Sequence, residues 1–250
     1  MTPRGAALMT SIAKKLGKID GAAYQICGFI DKAATIYPLG SDTKVLSTVF
    51  ELITRPTIYS VAGELGLRVM EADKQNYYPD FTVLSKDSDT NKVAIDVKTT
   101  YRENPSDRFS YTLGGYTSFI RHETKNILFP FSQYSDHLVI GFVYDRVGKK
   151  KAARSHTFTV PQLKEIPTPF SSVEVFVQEK WRIASGHAGS GNTTNIGSIE
   201  GVLDDFVAGR GVFTSEKEFL AYWRGYGRTS ADRESSYSTI EQFRALKPKL

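Results

Sequence analysis

The sequence predicts an α/β fold in which helices flank a mixed central β-sheet. Three observations carry this. Leu138-Val139-Ile140-Gly141-Phe142-Val143-Tyr144 is a continuous apolar run of strand length, the pattern of a central strand buried on both faces. Phe81 to Leu84 and Lys92 to Thr100 are two further strand-like runs, and the polar turn Ser85 to Asn91 between them makes a hairpin. After Asp42 the apolar residues change to helical spacing, at Val45, Leu46, Val49, Phe50 and Ile53. Strands and helices mixed in this way pack as layers around a shared core.

The first twenty residues read as a loose tail followed by a short amphipathic helix. Ile36-Tyr37-Pro38-Leu39-Gly40 reads as a turn. Ser41 or Asp42 is the expected N-cap of the long helix. Pro56 either kinks that helix or begins a second one that runs to Gly66. Leu67 to Glu71 reads as a strand ahead of the hairpin. Beyond the apolar run, Val173 to Ile183 reads as another strand. A glycine-rich loop follows over Gly186 to Asn195, then a helix from about Ile199 to Val207. Ser215-Glu216-Lys217-Glu218 opens a further helix through Phe219, Leu220, Tyr222 and Trp223, a serine cap ahead of an acidic first turn.

Composition narrows the class. With 250 residues, 40% of them hydrophobic and 12% aromatic, the chain can bury a sizeable core as a single domain over residues 1–250. No apolar run approaches the roughly 20 residues of a membrane span. The start, Met1-Thr2-Pro3-Arg4, lacks the apolar stretch of a secretory signal. One cysteine, Cys27, excludes an internal disulfide framework and suits a cytoplasmic protein. His122, His137, His156 and His187 are scattered without zinc-like spacing. A net charge of +5 and a pI near 9.1 favour a polyanionic partner. Basic residues gather at Arg146, Lys149, Lys150, Lys151 and Arg154, and again in the C-terminal region 224–250. A short lysine run taken alone is most simply a solvated loop.

The chemistry concentrates in the hairpin. Tyr78-Pro79-Asp80 leads into its first strand, and Ile95-Asp96-Val97-Lys98 ends the apolar part of the second. Residues two apart on a strand point to one face, so Asp96 and Lys98 share theirs. Singly, Asp80 is a turn residue after proline, and Asp96 with Lys98 is a surface ion pair. Together, two carboxylates brought side by side by adjoining strands repel unless a cation sits between them. Such a pair is a hard-oxygen site for Mg²⁺ with an ammonium alongside, the parts needed to hydrolyse a phosphodiester. Neighbouring carboxylates favour the charged form of Lys98, so the general base is left unassigned. Glu51, in the long helix among apolar neighbours, is a further acid candidate.

Pro79-Asp80 followed by Asp96-Val97-Lys98 resembles the PD-(D/E)xK nuclease signature. Longer stretches are similar to the EcoRV-like type II restriction endonucleases: Ile36-Tyr37-Pro38-Leu39-Gly40-Ser41-Asp42-Thr43-Lys44-Val45, Tyr78-Pro79-Asp80-Phe81-Thr82, Ala94-Ile95-Asp96-Val97-Lys98-Thr99-Thr100-Tyr101, Thr112-Leu113-Gly114-Gly115-Tyr116-Thr117-Ser118-Phe119-Ile120-Arg121, and Ala188-Gly189-Ser190-Gly191-Asn192-Thr193-Thr194-Asn195. These run co-linearly from about Cys27 to Arg233. The segment through about Lys18, the linker 102–108 and the tail after Arg233 depart from the family pattern. The resemblance implies a restriction-endonuclease-like fold and a Mg²⁺-dependent enzyme. As a homodimer it would cut both strands of double-stranded DNA at the palindrome GATATC, leaving blunt ends. Carried over by position, it implies that Asp80, Asp96 and Lys98 are catalytic and Glu51 an auxiliary acid, with Asp80, Asp96 and Glu51 the metal ligands. The loop Gly189, Ser190, Gly191, Asn192, Thr193 and Thr194 would read bases in the major groove. Gln75, Asn76 and Lys44 would lie against the minor groove or backbone, Thr99, Thr100 and Ser118 near phosphates, and Arg228 and Arg233 on the flanking backbone.

The residue types of the loop suit that role. Glycines allow close backbone approach, an Asn amide can pair with adenine N6 and N7, and a Thr methyl can pack on a thymine methyl. Composition alone would make the same loop a flexible linker. A palindromic site calls for two-fold protein symmetry. Two other readings use the same residues: a repair or junction-type nuclease of this fold, which would not need the loop, and a sequence-specific DNA-binding protein that does not cut, which would not need all three of Asp80, Asp96 and Lys98.

Overall fold

In the computed structural model, which describes residues 1–18, 24–74, 76–147, 156–189, 194–227 and 237–246, a five-stranded mixed sheet forms the centre. Its order is β3 (Arg68–Met70), β4 (Phe81–Leu84), β5 (Lys92–Arg102), β7 (Tyr134–Arg146) and β9 (Phe170–Glu179). Only β5 and β7 run parallel; the other neighbours are antiparallel. The apolar run at 138–144 lies within β7, and every residue from Leu138 to Tyr144 is buried, as a central strand between two layers requires. Gly141 is the point of closest approach between β7 and β9, since a Cβ there would overlap the Phe176 ring.

The two faces of the sheet carry separate cores. Phe81, Val83, Val93, Ile95, Ile140 and Phe142 point to one side, where α1 (Pro3–Leu16) and α2 (Thr43–Glu64) pack through Leu8, Ile12, Phe50 and Ile58. Ala94, Val139, Val143 and Phe176 point to the other. That layer contains the sheet of β6 (Thr112–Gly115), β10 (Ala184–Ala188) and β11 (Asn195–Ser198) and the helices α4 (Leu203–Ala208), α5 (Glu216–Gly225) and α6 (Ile240–Leu246). Among the described residues no helix is long and apolar enough to cross a membrane.

Several elements differ from the sequence expectation. The start is not a loose tail: α1 begins at Pro3, with Thr2 as N-cap, and Asp136 accepts a 2.7 Å bond from the Thr2 N–H. The segment 36–40 is not simply a turn. Thr35–Pro38 is β2, paired with β1 (Gly28–Ile30) and β8 (Phe158–Thr159), and Ile36 is buried between them. Asp42 is the N-cap of α2, accepting from the N–H groups of Lys44 and Val45, but Pro56 neither breaks nor restarts the helix. Proline removes one N–H there, and the burial of Phe50, Thr54, Ile58 and Val61 along one stripe holds the remaining turns together. The strand expected over 173–183 ends at Glu179, where pairing with β7 stops and one helical turn, α3 (Lys180–Ile183), redirects the chain. The helix expected from Ile199 starts at Leu203, because Gly201 is still bridged to Phe109, and stops at Gly209 in the left-handed region. Ser215 caps α5 as the sequence indicates.

Candidate active site

Strand register builds the site. Phe81 pairs with Ile95 at the end of the β4–β5 ladder, so the next position in register sets Asp80 opposite Asp96. Both project from the face that carries Ala94. The two carboxylates lie close enough for each to perturb the other's charge, and Asp80 Oδ2 accepts from the Val97 N–H at 2.7 Å. Lys98 lies two residues beyond Asp96 on the same face, with its Nζ 2.9 Å from Asp96 Oδ2. Along β5 burial falls from complete at Ile95 to partial at Val97 through Thr100, so the trio stands where the strand leaves the core.

The electrostatics follow from that crowding. Burial, and then the Asp96 charge, push the Asp80 carboxyl up to about 7. Burial would raise Asp96 too, but Lys98 and Lys180 outweigh it and hold this carboxyl below its usual range. Burial opposes the charge on Lys98, and Asp96 and Asp80 more than compensate, so its pKa is raised. Two hard carboxylates, one of them strained by the other's charge, fit a divalent cation, which would relieve the repulsion.

Glu51 faces this region from α2. It is half-buried, burial raises its pKa, and it feels Arg55, Glu71, Lys98 and Asp96. Among the described residues no group of three or more His, Cys, Asp or Glu side chains is gathered closely enough to hold a metal ion.

A groove of about 400 Å³ opens beside Lys98, and its lining includes Ser47, Thr99, Thr100, Ser110 and Thr112. Ser47 and Thr99 share a 2.5 Å hydrogen bond across it. A hydroxyl-rich wall next to an ammonium suits phosphate oxygens. Ser118 lies apart, in a π-helical turn (Tyr116–Ile120), where its hydroxyl donates to Gly115 O at 3.3 Å. Lys44 is exposed on the first turn of α2, and Asn76 is exposed before Tyr78.

The loop that the sequence suggests for base reading is described only at its ends. Gly189 N–H donates to Asn195 O at 2.8 Å, and Tyr116 N–H donates to Thr194 O at 3.0 Å. These bonds close the neck of a hairpin between β10 and β11 and tie it to β6. Ser190, Gly191, Asn192, Thr193, Gln75, Arg228 and Arg233 lie outside the described residues.

Sequence reasoning missed a second cation beside Asp96. Lys180, on α3, is buried and places its Nζ 3.3 Å from Asp96 Oδ2. Burial pulls its pKa down to about 8 against the pull of Asp96. The ammonium sits 4.0 Å from the centre of the Tyr78 ring. Tyr78 in turn stacks on Phe119 and shares a 2.8 Å hydrogen bond with His137. Lys180 is remote from the other members in sequence, and its one local signal was a lysine directly after a buried apolar strand.

Comparison with known proteins gives the site its context. The family model described as "Restriction endonuclease EcoRV" matches residues 20–248. The type II restriction enzyme EcoRV of Escherichia coli is 52% identical over 221 residues, which cover 88% of this chain and 90% of that protein. Among solved structures, the NlaIV restriction endonuclease aligns over 98% of this chain and 88% of its own, at 13% identity and a TM-score of 0.41.

Proposed function

Because the chain belongs to the EcoRV restriction endonuclease family and is itself a type II restriction endonuclease, we propose that it acts as a homodimer in the cytoplasm and cuts both DNA strands at GATATC, leaving blunt ends, with Mg²⁺ as its divalent cation. The observation that carries this reading is the β4–β5 register, which sets Asp80 against Asp96 and puts Lys98 on the same face.

Asp80 and Asp96 would hold the cation, with Glu51 contributing from α2. When bound, a divalent cation adds positive charge at the attacked phosphate and makes water more acidic. Lys98 offsets the negative charge that builds on the phosphate in the transition state, and its raised pKa keeps it cationic for that purpose. Thr99, Thr100 and Ser118 bind phosphate oxygens and fix the scissile strand relative to the carboxylates. Gly189, Ser190, Gly191, Asn192, Thr193 and Thr194 read base edges in the major groove, and the hydrogen-bonded neck at Gly189 and Asn195 supports that role. Gln75, Asn76, Lys44, Arg228 and Arg233 contact the minor groove or backbone. Two copies related by a two-fold axis give each strand of the palindrome its own carboxylate pair.

The test is a plasmid with one GATATC site, incubated with the protein in Mg²⁺ or in EDTA. Linear, blunt-ended product in Mg²⁺ only, and none from a plasmid lacking the site, is expected. Cutting at another sequence, or sequence-blind nicking, would refute the specificity.

A further inference from the structure

Asp96 has one partner more than the proposed reaction uses. Its Oδ2 meets Lys98 at 2.9 Å and Lys180 at 3.3 Å. Lys98 keeps 23% of its side chain exposed, whereas Lys180 keeps 3%. The Lys180 ammonium is enclosed by the rings of Tyr78, at 4.0 Å, and Phe119, at 5.7 Å. Aromatic faces attract a cation but carry no net charge, so they cannot neutralise it. Among the described residues Asp96 is the only acid that forms an ion pair with Lys180. The buried ammonium therefore depends on Asp96 for its compensation, and the close pair of carboxylates depends on it in part, with Lys98 as the other cation in contact.

The pair also bears on cation binding. Asp80 and Asp96 bring two negative charges, and Lys98 and Lys180 bring two positive ones. A divalent cation taken up by Asp96 comes to rest within a few ångströms of an ammonium that cannot retreat into solvent, and like charges at that range repel.

We propose that Lys180 is a positioning residue: it is the built-in counter-ion of Asp96, which fixes that carboxylate while the cation is absent and opposes the cation when it arrives. This rests on Asp80 and Asp96 being the metal pair, and it adds a second cation that sets the affinity of that pair.

The probe is manganese, with binding and thermal stability read on the full protein without DNA. Lys180→Met keeps the length of the side chain and removes its charge. It is expected to bind Mn²⁺ about tenfold or more tightly than wild type. It is also expected to melt lower than wild type in EDTA and to recover most of that loss in Mn²⁺. Lys180→Arg, which keeps the charge, is expected to bind Mn²⁺ as wild type does. A Lys180→Met chain that folds only when Mn²⁺ is present supports the proposal equally. Unchanged or weaker Mn²⁺ affinity, a stability loss that metal does not recover, or failure to fold in both conditions would overturn it. Adding Asp80→Asn to Lys180→Met separates the two readings. Loss of the gained affinity keeps the metal at the carboxylate pair, and its retention would remove the proposed metal site itself.

Discussion

At the scale of single residues, the site works by concentrating charge at the edge of a dry core. Lys98 is the group whose removal separates chemistry from binding. Lys98→Met should lower the single-turnover cleavage rate by about a hundredfold to a thousandfold, while gel-shift affinity for GATATC DNA in Ca²⁺ changes little. A comparable loss of affinity would assign Lys98 to binding instead. His137 makes a second, independent forecast. Burial pulls its imidazole from 6.5 down to about 3. As pH falls below about 6.5 the unfolded chain takes up a proton that the folded chain refuses, so this contribution to stability is complete above that pH and is lost progressively toward pH 3. Urea unfolding at pH 7 and pH 5 should therefore show a smaller pH effect in His137→Phe than in wild type. Equal effects would place the acid sensitivity elsewhere. Asp80, Asp96 and Lys98 were legible in the sequence because strand alternation fixes who shares a face. Lys180 was not, because its partner comes from a distant strand and no local spacing records that meeting.

At the scale of elements, the site depends on how firmly the central sheet is held from behind. Phe50 of α2 stacks on Phe142 at 4.8 Å between ring centres and also contacts Tyr144 and Phe170, so helix and sheet meet through one aromatic cluster. Phe50→Ala should cost about 3–5 kcal/mol of stability by urea unfolding. A loss below about 1 kcal/mol would mean that the cluster closes over the gap. The hairpin of β4 and β5 and the central β7 were readable from period and polarity alone. Other elements were not, for physical reasons that can be named. The opening helix depends on Thr2 reaching Asp136, far away in sequence. β2 exists because β1 and β8 flank it, although Pro38 and Gly40 read locally as a turn. α2 runs through Pro56 because tertiary burial outweighs one missing hydrogen bond.

At the scale of the whole molecule, a palindromic target and one carboxylate pair per chain call for two copies. Sedimentation equilibrium should give twice the 27.8 kDa chain mass at micromolar concentration, and the same dimer should be retained on one GATATC duplex. A monomer in both conditions would contradict the proposed symmetry. The sheet order and the two cores set Asp80 and Asp96 on the face of the central sheet that carries the β6–β11–β10 sheet, with α1 and α2 packed on the other face. The central claim is that Asp80 and Asp96 jointly hold the divalent cation. An anomalous difference map from crystals of the DNA complex soaked in manganese tests it directly. The expected result is a peak about 2.1–2.3 Å from one oxygen of each carboxylate; a peak touching only one of them, or lying away from both, would contradict it.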